Sequence, residues 1–360
     1  MAPRMDAAIK IQFSKLLISW YKENARDLPW RETRDPYLIW VSEIILQQTR
    51  IDQGLPYYLK FATVFPTVQD LARADLDYVL SLWQGLGYYS RARNMHKAAK
   101  MVVEEFHGAF PATYSELIKL PGVGDYTASA ISSIVIQEGN AVVDGNVFRV
   151  LARVFDIDTP IDTTLGKRQF KELAQELLDE KHPGKYNQAL MDFGSVHCKA
   201  KGPLCVSCMF NESCMAYRLN KVDVLPKKQG KQKIRNRYFH YFIIKSKKGL
   251  LMYQRHHDDV WQGLFEFPVL ETKEELSLEE LTQLDAFKAC FGDRNPLLLE
   301  GNIKHVLSHQ RIFANFYILG GEVEPDILEK YQWRYYNSEK IAKLAKHKLI
   351  FSFLEKHRLL

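Results

Sequence analysis

Residues 198–214 of this 360-residue chain read Cys-Lys-Ala-Lys-Gly-Pro-Leu-Cys-Val-Ser-Cys-Met-Phe-Asn-Glu-Ser-Cys. Four cysteines therefore stand within seventeen consecutive residues, at Cys198, Cys205, Cys208 and Cys214. Four thiolates this close in sequence can all reach one inorganic centre, which is how a metal site or an iron-sulphur site is built. The stretch predicts a loop folded around such a centre.

Zinc and disulfide bonds are the alternatives to iron-sulphur at this loop. A structural zinc ribbon usually has two cysteine pairs with x2 spacing, whereas only Cys205 and Cys208 are spaced in this way. Disulfides suit secreted proteins, and the segment from Met1 to Lys10 lacks the apolar core of a secretory signal. We therefore expect iron-sulphur before zinc, a reducing compartment, and an ordinary buried thiol at the isolated Cys290.

Length and composition indicate a protein of two domains that spans no membrane. The chain is 46% hydrophobic and 26% charged, and 360 residues exceed what one compact domain usually holds. No stretch approaches the length of apolar sequence that a membrane helix needs. The net charge of +6 permits contact with a polyanion without requiring it, so composition alone leaves the function open.

The spacing of apolar residues changes along the chain. Helical spacing recurs from Ile9 to about Arg218 and predicts an all-α domain over residues 1–219. Basic residues without any acid follow between Pro226 and Arg237, which predicts an exposed linker over 220–237. Residues 238–360 then form the second domain.

Short β-rich runs alternate with helical stretches in this second part of the chain. The predicted strands lie at Tyr238 to Lys245, Leu250 to Arg255 and Ile312 to Leu319, and the predicted helices near Ser277 to Phe291 and Ser338 to Glu355. This order predicts a smaller α+β domain.

A glycine-containing turn, Leu120-Pro121-Gly122-Val123-Gly124, separates two predicted helices within residues 116–136. Two glycines let the backbone approach a ligand closely, and free N–H groups at the start of the second helix can hold one phosphate. This is the helix-hairpin-helix mode of holding DNA without reading its sequence. A plain tight turn between two helices is the alternative.

The turn and the cysteine loop together resemble the endonuclease III superfamily of DNA glycosylases over nearly all of Phe13 to Tyr217. Four further stretches look like the MutY adenine glycosylases, which remove adenine mispaired with 8-oxoguanine. These stretches are Pro29-Trp30-Arg31, Ser42 to Thr49, Gly85 to Asn94 and Val143 to Val147.

This resemblance implies an all-α glycosylase domain with a [4Fe-4S] cluster on the four cysteines at 198–214. It also implies a base excision repair enzyme whose partner is double-stranded DNA containing A:8-oxoG or A:G mispairs. We expect a monomer in the cytoplasm, associated with the nucleoid through DNA.

Glu43 is surrounded by apolar residues of a predicted helix. Loss of water disfavours the charged form of a carboxyl group, so Glu43 is expected to hold a proton near neutral pH and to deliver it. In the resembling family the matching Glu protonates adenine. A partly exposed Glu on a helix surface is the alternative.

Asp144 precedes Gly145 and Asn146 and could cap the helix predicted from Val147 to Phe155. In the resembling family the matching Asp also stays ionised beside the sugar and stabilises the cation that forms as the glycosidic bond breaks. We expect Asn146 to belong to the same site.

Tyr126 stands where the strand-cleaving relatives carry the lysine that forms a Schiff base with the sugar. A phenol cannot form an imine, and Lys119 lies on the other side of the turn, so the sequence predicts base removal without a dedicated lyase step. The resemblance implies that Tyr126 supports the sugar, and packing at a helix start is the alternative.

Further DNA contacts are implied by the resemblance. Gln48 and Tyr88 are candidates for insertion into the gap left by an extruded base, and Trp30 and Arg31 for the wall of the adenine pocket. Gln188 matches a pocket position where some relatives have Glu. The other predicted contact residues are Thr49, Leu86, Arg91, Gly122 and Gly124.

The segments Trp261 to Pro268 and His305 to His309 look like the carboxy-terminal recognition domain of MutY, which is similar in fold to Nudix hydrolases. Ser308 and His309 can both hydrogen-bond the altered edge of 8-oxoguanine, whereas Leu307 replaces the usual Phe of that loop. The acids between residues 273 and 280 do not reproduce the magnesium motif of Nudix hydrolases and are interpreted as a solvated helix face.

Three other functions remain as alternatives. They are a pyrimidine-specific glycosylase and lyase, which the second domain and Tyr126 disfavour, and a non-catalytic iron-sulphur module for binding DNA. A pure DNA binder has no use for both Glu43 and Asp144 near phosphate. The last is a Nudix-type nucleotide hydrolase, which lacks its magnesium motif here.

Overall fold

The computed structural model describes residues 7–230, 234–256 and 259–359. These residues form two compact units, the first from 7–72 and 97–230 and the second from 73–96 and 234–359. Most of the amino-terminal segment from Met1 to Lys10, and residues 231–233 of the predicted linker, lie outside the described residues.

Residues 7–218 are helical, as the apolar spacing predicts. The helices are α1 (Ala7–Asn24), α2 (Pro36–Leu46), α3 (Ile51–Val64), α4 (Val68–Arg73), α5 (Leu76–Leu82), α6 (Ser90–Glu105), α7 (Tyr114–Leu117), α8 (Asp125–Val135), α9 (Gly145–Val154), α10 (Thr164–Leu177), α11 (Pro183–Asp192) and α12 (Met215–Arg218). A 3-10 turn at Pro29–Arg31 and a π-helical turn at Phe193–His197 complete them.

One apolar core holds α1, α9, α10 and α11 of the first unit together. Phe13 and Leu17, four residues apart on α1, are buried in it with Phe170 of α10. The ring of Phe13 also stacks on Phe210 at 4.8 Å, so this core extends to the cysteine loop. Burial of each such side chain contributes roughly 1.5–3 kcal/mol, which fixes the helices that carry the functional residues.

Short polar side chains set the starts of these helices. Asp35 accepts a hydrogen bond from the backbone N–H of Tyr37 at the start of α2, where Pro36 is the first residue. Thr163 caps α10 in the same way through Gly166. Such caps satisfy donors that the first helical turn leaves free.

The second unit contains the strands of the protein that the structure describes. They are β1 (Arg235–Ile243), β2 (Lys245–Ser246), β3 (Gly249–Gln254), β4 (Phe265–Glu266), β5 (Val269–Thr272), β6 (Leu297–Val306), β7 (Gln310–Ile318) and β8 (Arg334–Tyr336). One four-stranded sheet has the order β5-β1-β7-β6, with β1 and β7 parallel and its other pairs antiparallel. In the other sheet β3 pairs with β2, β4 and β8.

Among the described residues, the carboxy-terminal part of this unit contains five short helices. They are α13 (Leu278–Gln283), α14 (Asp285–Phe291), α15 (Pro325–Lys330), α16 (Ser338–Lys343) and α17 (Lys348–Lys356). Leu284 has extended backbone angles and divides the first predicted helix in two, and residues 344–347 divide the second. The α+β class is confirmed, and each of the two predicted helical stretches, near 277–291 and 338–355, consists of two short helices separated by a break.

Parts of the predicted linker are buried. Leu225 is buried in the core of the first unit, and its carbonyl accepts a hydrogen bond from Arg153. Arg237 is also buried, within β1, because its guanidinium pairs with Asp259 and Glu271. Basic composition alone therefore did not reveal the burial of Leu225 and Arg237, because it says nothing about partners elsewhere in the chain.

Residues 73–96 belong to the second compact unit rather than to the first unit, which contains most of the other helices of residues 7–218. They include α5 and the glycine-containing loop with Tyr88. The domain limits predicted from the sequence differ from this division and stay a prediction. Among the described residues, no helix is long and apolar enough to cross a membrane.

Candidate active site

Glu43 of α2 lines a cavity in the first unit. Its helical neighbours Trp40, Ile44 and Ile45 are buried, so little water reaches the carboxyl group. This loss of water raises the pKa of Glu43 to about 7, and the charge of Asp144 adds to the rise. A hydrogen bond from Tyr126 and the charge of Arg31 oppose it. Glu43 therefore carries a proton over much of the neutral range.

Tyr126 is the second residue of α8 and lines the same cavity. Its hydroxyl interacts with Glu43 and lies 3.4 Å from the sulphur of Met191. Burial, with the charges of Glu43 and Asp144, raises the pKa of Tyr126 well above its usual value. The phenol therefore stays neutral at any physiological pH. Its hydrogen bond to the Glu43 carboxyl group links α8 to α2.

Asp144 is the N-cap of α9. Its Oδ1 accepts hydrogen bonds from the backbone N–H groups of Asn146 at 2.9 Å and Val147 at 2.7 Å, and its Oδ2 accepts one from the Asn146 side chain at 2.8 Å. Burial raises the pKa of Asp144, while these hydrogen bonds and the charge of Arg149 oppose the rise. The capping role is thus present, and the carboxyl group still faces the cavity of Glu43.

The structure brings together all four predicted catalytic residues and three of the predicted contact residues. They are Glu43, Tyr126, Asp144 and Asn146, with Trp30, Arg31 and Thr49. Four helices meet here, because α2 packs against α8 and α11 packs against both α8 and α9. Residues separated by about one hundred positions in sequence therefore share one cavity of the first unit.

Asp192, at the end of α11, is a member of this cavity that the sequence did not reveal. Its fully buried carboxylate accepts two parallel hydrogen bonds of 2.8 Å from Arg31, and it also pairs with Arg26. The two guanidinium groups hold the pKa of Asp192 below its usual value despite burial. The sequence signal that could have identified Asp192 was a single acidic residue between the apolar Leu190 and Phe193.

A chain of hydrogen bonds leads from Asp144 towards the cysteine loop. The side-chain oxygen of Asn146 accepts a hydrogen bond of 2.8 Å from Arg149 of α9. The same guanidinium donates to the carbonyl oxygens of Gly194 and of Cys198, the latter at 2.8 Å. The cap of α9 and the first cysteine are therefore positioned by one side chain.

The four cysteines of residues 198–214 are free thiols that line one further cavity of the first unit. The buried guanidinium of Arg153 lies 3.5 Å from the sulphur of Cys198, and the Cys208 sulphur accepts a hydrogen bond from the backbone of Phe210. These donors suit a group in which sulphur carries negative charge, so the residues fit an iron-sulphur cluster. Cys290 is buried elsewhere, as predicted.

Within the described ranges, no three His, Cys, Asp or Glu side chains are grouped as the ligands of a single metal ion.

The predicted helix-hairpin-helix consists of α7, the turn with Gly122 and Gly124, and α8. Gly122 has φ of 79°, a conformation that favours glycine. Gly124 is different, because it is extended with φ of −101°, and a Cβ placed there would meet no atom within 4 Å. Neither strain nor internal crowding requires glycine at this exposed position, which leaves room for a ligand at the start of α8.

Gln48 and Gln188 lie apart from the cavity of Glu43. Gln48 follows α2 with a left-handed φ of 55° and an exposed side chain. Gln188 is half-buried on α11, where its side-chain oxygen accepts a hydrogen bond of 3.3 Å from Tyr21. The cavity contacts α11 through Met191 and Asp192 instead, so the contact of Gln188 with adenine has no support here.

The predicted contact residues in the loop from Gly85 to Arg91 differ in exposure. Tyr88 is 44% exposed at its tip, with φ of 49°. Leu86 is buried, and Arg91 is buried over the ring of Trp83 with a hydrogen bond to the carbonyl of Gly87. Leu86 and Arg91 thus hold the loop in shape, and Tyr88 is the exposed member of this predicted set.

Ser308 and His309 form the exposed tip of the hairpin between β6 and β7. The Ser308 hydroxyl lies 2.5 Å from the Tyr88 hydroxyl, although the two residues are 220 positions apart. A second cavity, wholly within the second unit, is lined by Tyr88, Ser308 and His309 together with Trp261 and His305.

The acids near α13 do not form a site. Glu280 accepts a hydrogen bond from the backbone of Ser277 and completes a capping box at the start of α13. Glu279 is exposed beside it. The interpretation as a solvated helix face therefore holds for Glu279 and Glu280, whereas Lys273, Glu274 and Glu275 are exposed but lie before α13 begins.

Comparison with known proteins places both parts of the chain in described families. Residues 41–177 match the model of the HhH-GPD superfamily base excision DNA repair proteins, and residues 240–356 match the model of the NUDIX domain. The first match includes Glu43, Tyr126 and Asp144, and the second includes Ser308.

Two curated relatives of similar length are both named adenine DNA glycosylase. The adenine DNA glycosylase of Buchnera aphidicola subsp. Baizongia pistaciae (strain Bp) is 34% identical over 306 residues, which cover 84% of either protein. That of Buchnera aphidicola subsp. Acyrthosiphon pisum (strain APS) is 35% identical over 74% of this chain and 76% of the relative. A solved thermostable thymine-DNA glycosylase superposes with a TM-score of 0.55 and 28% identity, covering 59% of this chain and 100% of its own.

The raised pKa of Glu43 has a consequence for stability. Because the folded protein holds this proton to about pH 7 and the unfolded chain only to about 4.5, ionisation destabilises the fold as the pH rises through that window. We expect Glu43→Gln to raise the free energy of unfolding at pH 8 by on the order of 2 kcal/mol, allowing for partial exposure. Urea denaturation at pH 5 and pH 8 measures the change.

Glu176→Gln on the exposed face of α10 is the matched control for this measurement. It should leave the difference between the two pH values as in the unchanged protein. An equal response of the two variants would contradict the burial of an ionisable Glu43.

The open space at Gly124 generates a second expectation. Gly124→Ala should leave stability unchanged, because the new methyl group meets no protein atom, and should weaken binding of duplex DNA by about tenfold, because it occupies the approach to the start of α8. Gly139→Ala, also in open space but outside the turn, should leave both unchanged. Fluorescence anisotropy with a labelled duplex compares the three proteins, and tight binding by Gly124→Ala would contradict the phosphate site.

Proposed function

The chain belongs to the adenine DNA glycosylase family, and from this premise we infer that it is a monofunctional enzyme of base excision repair. It hydrolyses the N-glycosidic bond of adenine in DNA and releases the free base. The observation that supports this most directly is the single cavity in which a protonated Glu43 and the capped carboxylate of Asp144 lie together.

Glu43 acts as the general acid. Adenine is a poor leaving group because its departure as an anion places charge on the ring, and protonation of a ring nitrogen removes that charge. The raised pKa of Glu43 keeps the carboxyl proton available near neutral pH. Its O–H donates this proton to adenine as the bond from the sugar C1′ to the base nitrogen breaks.

Asp144 stabilises what the base leaves behind. Departure of adenine gives the sugar a positive charge at C1′ and its ring oxygen, and a fixed negative charge nearby lowers the energy of that state. The three hydrogen bonds to Asp144 hold its carboxylate in place and favour its ionised form. Water then adds to C1′, so that adenine and an abasic site are the products.

Tyr126 supports this pair and does not replace it. The neutral hydroxyl orients the Glu43 carboxyl group by a hydrogen bond. Tyr126 occupies the position at which a lysine would attack C1′, and a phenol cannot form the imine that leads to strand cleavage. Base removal without a lyase step follows from this substitution.

We propose duplex DNA with adenine opposite 8-oxoguanine, or guanine, as the substrate. The open start of α8 suits one backbone phosphate, and the exposed Gln48 suits insertion where adenine has left the stack. Tyr88 and Ser308, 2.5 Å apart, offer hydroxyl groups to the opposite base. The free N–H at position 7 distinguishes 8-oxoguanine from guanine, and a hydroxyl can accept its hydrogen bond.

We also propose that Cys198, Cys205, Cys208 and Cys214 hold a [4Fe-4S] cluster. These four thiolates would hold the cluster, which would brace the 198–214 loop when bound. Arg149 and Arg153 fix the loop through the carbonyls of Cys198 and Lys199.

We further propose that the protein acts as a monomer on chromosomal DNA in the cytoplasm.

The role of Glu43 predicts the outcome of a direct assay. Incubation with a duplex containing adenine opposite 8-oxoguanine should give alkali-labile abasic sites, and Glu43→Gln, which cannot donate this proton, should reduce the single-turnover rate by at least about a hundredfold. Binding of the duplex should persist in the variant. Borohydride should trap little protein on DNA, because Tyr126 forms no imine.

The pH profile supplies the control for this assay. The rate of the unchanged protein should fall as the pH rises through about 7, where Glu43 loses its proton. A rate that is insensitive to Glu43→Gln, or strand cleavage without added alkali, would contradict the proposed function.

The cluster is tested without reference to activity. The purified protein should be brown, with a broad visible absorbance band and about four iron atoms and four inorganic sulphides per chain. Cys205→Ser should lower this content, whereas Cys290→Ser, at the isolated thiol, should not. A colourless protein containing zinc would overturn the assignment.

A further inference from the structure

Residues 345–348, here called the 345–348 segment, connect α16 to α17 and contact two separate parts of the second unit. The carbonyl of Ala345 accepts a hydrogen bond of 2.8 Å from the backbone N–H of Phe265. The backbone N–H of Lys346 donates to the side chain of Gln84 at 3.1 Å, and its carbonyl accepts from the hydroxyl of Tyr89 at 3.1 Å. The segment thus fastens the loop around Tyr88 to β4.

The side chain of Lys346 fixes the segment itself. It is fully buried, and its ammonium group donates to the carbonyl oxygens of Ile341 at 2.5 Å and Leu344 at 2.6 Å. These carbonyls lie in the last turn and at the C-cap of α16, where backbone acceptors are not fully satisfied within the helix. A buried cation that caps a helix end in this way restricts the backbone on which it stands.

His347 extends the segment towards the cavity of Ser308. Its ring is fully buried and stacks on the ring of Trp261, with centroids 3.6 Å apart and planes 1° from parallel. Its Nε2 lies 3.1 Å from the fully buried carboxylate of Glu266. That carboxylate also accepts hydrogen bonds from Tyr241, Tyr253 and Arg255. Because Glu266 is held from four directions, the plane of His347 and therefore of Trp261 is fixed.

Trp261 forms one wall of the cavity and Tyr88 forms another. The edge of His305 meets Trp261 with centroids 5.6 Å apart, and Ser308 meets Tyr88 across the opening. Lys348, the next residue of the segment, lines the same cavity. Each wall therefore contacts the segment. Trp261 stacks on His347, and the Tyr88 loop is hydrogen-bonded to Lys346 through Gln84 and Tyr89.

We propose that the 345–348 segment is a positioning element, in which His347 and Lys346 hold Trp261 and Tyr88 at the spacing that an oxidised purine opposite adenine requires. This inference rests on the proposed function, because it names residues that set the preference of the same site. His347 and Lys346 act through Trp261, Tyr89 and Gln84 and touch no substrate. Their contribution is to the choice of the opposite base and not to the breaking of the bond at adenine.

The prediction is a change in preference rather than in catalysis. His347→Ala removes the ring that supports Trp261, and Tyr89→Phe removes the hydroxyl that ties the Tyr88 loop to Lys346. Each variant should reduce the preference for 8-oxoguanine over guanine opposite adenine by about tenfold. The single-turnover rate on the duplex with guanine should remain within about twofold of the unchanged protein.

Binding is measured separately in proteins that also carry Glu43→Gln, by fluorescence anisotropy with duplexes that contain 8-oxoguanine or guanine opposite adenine. The same loss of preference should appear in the ratio of the two Kd values. Tyr253→Phe is the matched control, because it removes one hydrogen bond from Glu266 and leaves the contact between His347 and Trp261 in place. It should keep the preference of the unchanged protein.

Folding is checked by thermal unfolding, and His347→Gln, which keeps a donor for Glu266 but loses the stacked ring, serves if His347→Ala is unstable. A folded ring-deleted variant that keeps the full preference would overturn the inference. A Tyr253→Phe variant that loses as much preference would overturn it too, because stability alone would then explain the effect. Absence of adenine release with binding preference intact would instead contradict the proposed function.

Discussion

Two carboxyl groups in one cavity, Glu43 and Asp144, are the constraint on which the arrangement of the helical unit depends. Each has a raised pKa because water is scarce around it, and the charge of Asp144 raises the pKa of Glu43 further. Different hydrogen bonding favours a different charge state for each carboxyl group. Asp144 accepts three hydrogen bonds at the start of α9, which favour its charged form, whereas Glu43 lies among apolar residues with one phenol as its partner. Helices α2, α8 and α9 must meet at this point for the pair to form.

Much of this arrangement was predictable from local sequence. The 3.6-residue spacing of Phe13 and Leu17 identifies a helix with one buried face, and the apolar neighbours of Glu43 indicate its desolvation, because both effects act between residues close in sequence. Contacts that join distant parts of the chain left no comparable signal. The pairing of Asp192 with Arg26 and Arg31 spans more than 160 positions, and the meeting of Tyr88 with Ser308 spans 220.

The second unit shows where periodicity misleads. Within the second helical stretch, residues 344–347 leave the helix: Lys346 donates to the carbonyl oxygens of Ile341 and Leu344, and His347 contacts Glu266, 81 positions away in sequence. The basic composition around Arg237 suggested solvent exposure, but Asp259 and Glu271 neutralise its charge and allow burial. In both places a buried ion pair or hydrogen bond, which no local pattern encodes, decided the local conformation.

The clamp of Arg26 and Arg31 on Asp192 affects which chemical groups the first cavity admits. Unpaired guanidinium groups at the floor of a cleft would attract the phosphates that surround every nucleotide, and a trapped phosphate would exclude a base. Asp192 lies between them, accepts hydrogen bonds from both and cancels one of their two positive charges. An uncharged heterocycle can then enter a polar chamber without competition from the anionic strand to which it belongs.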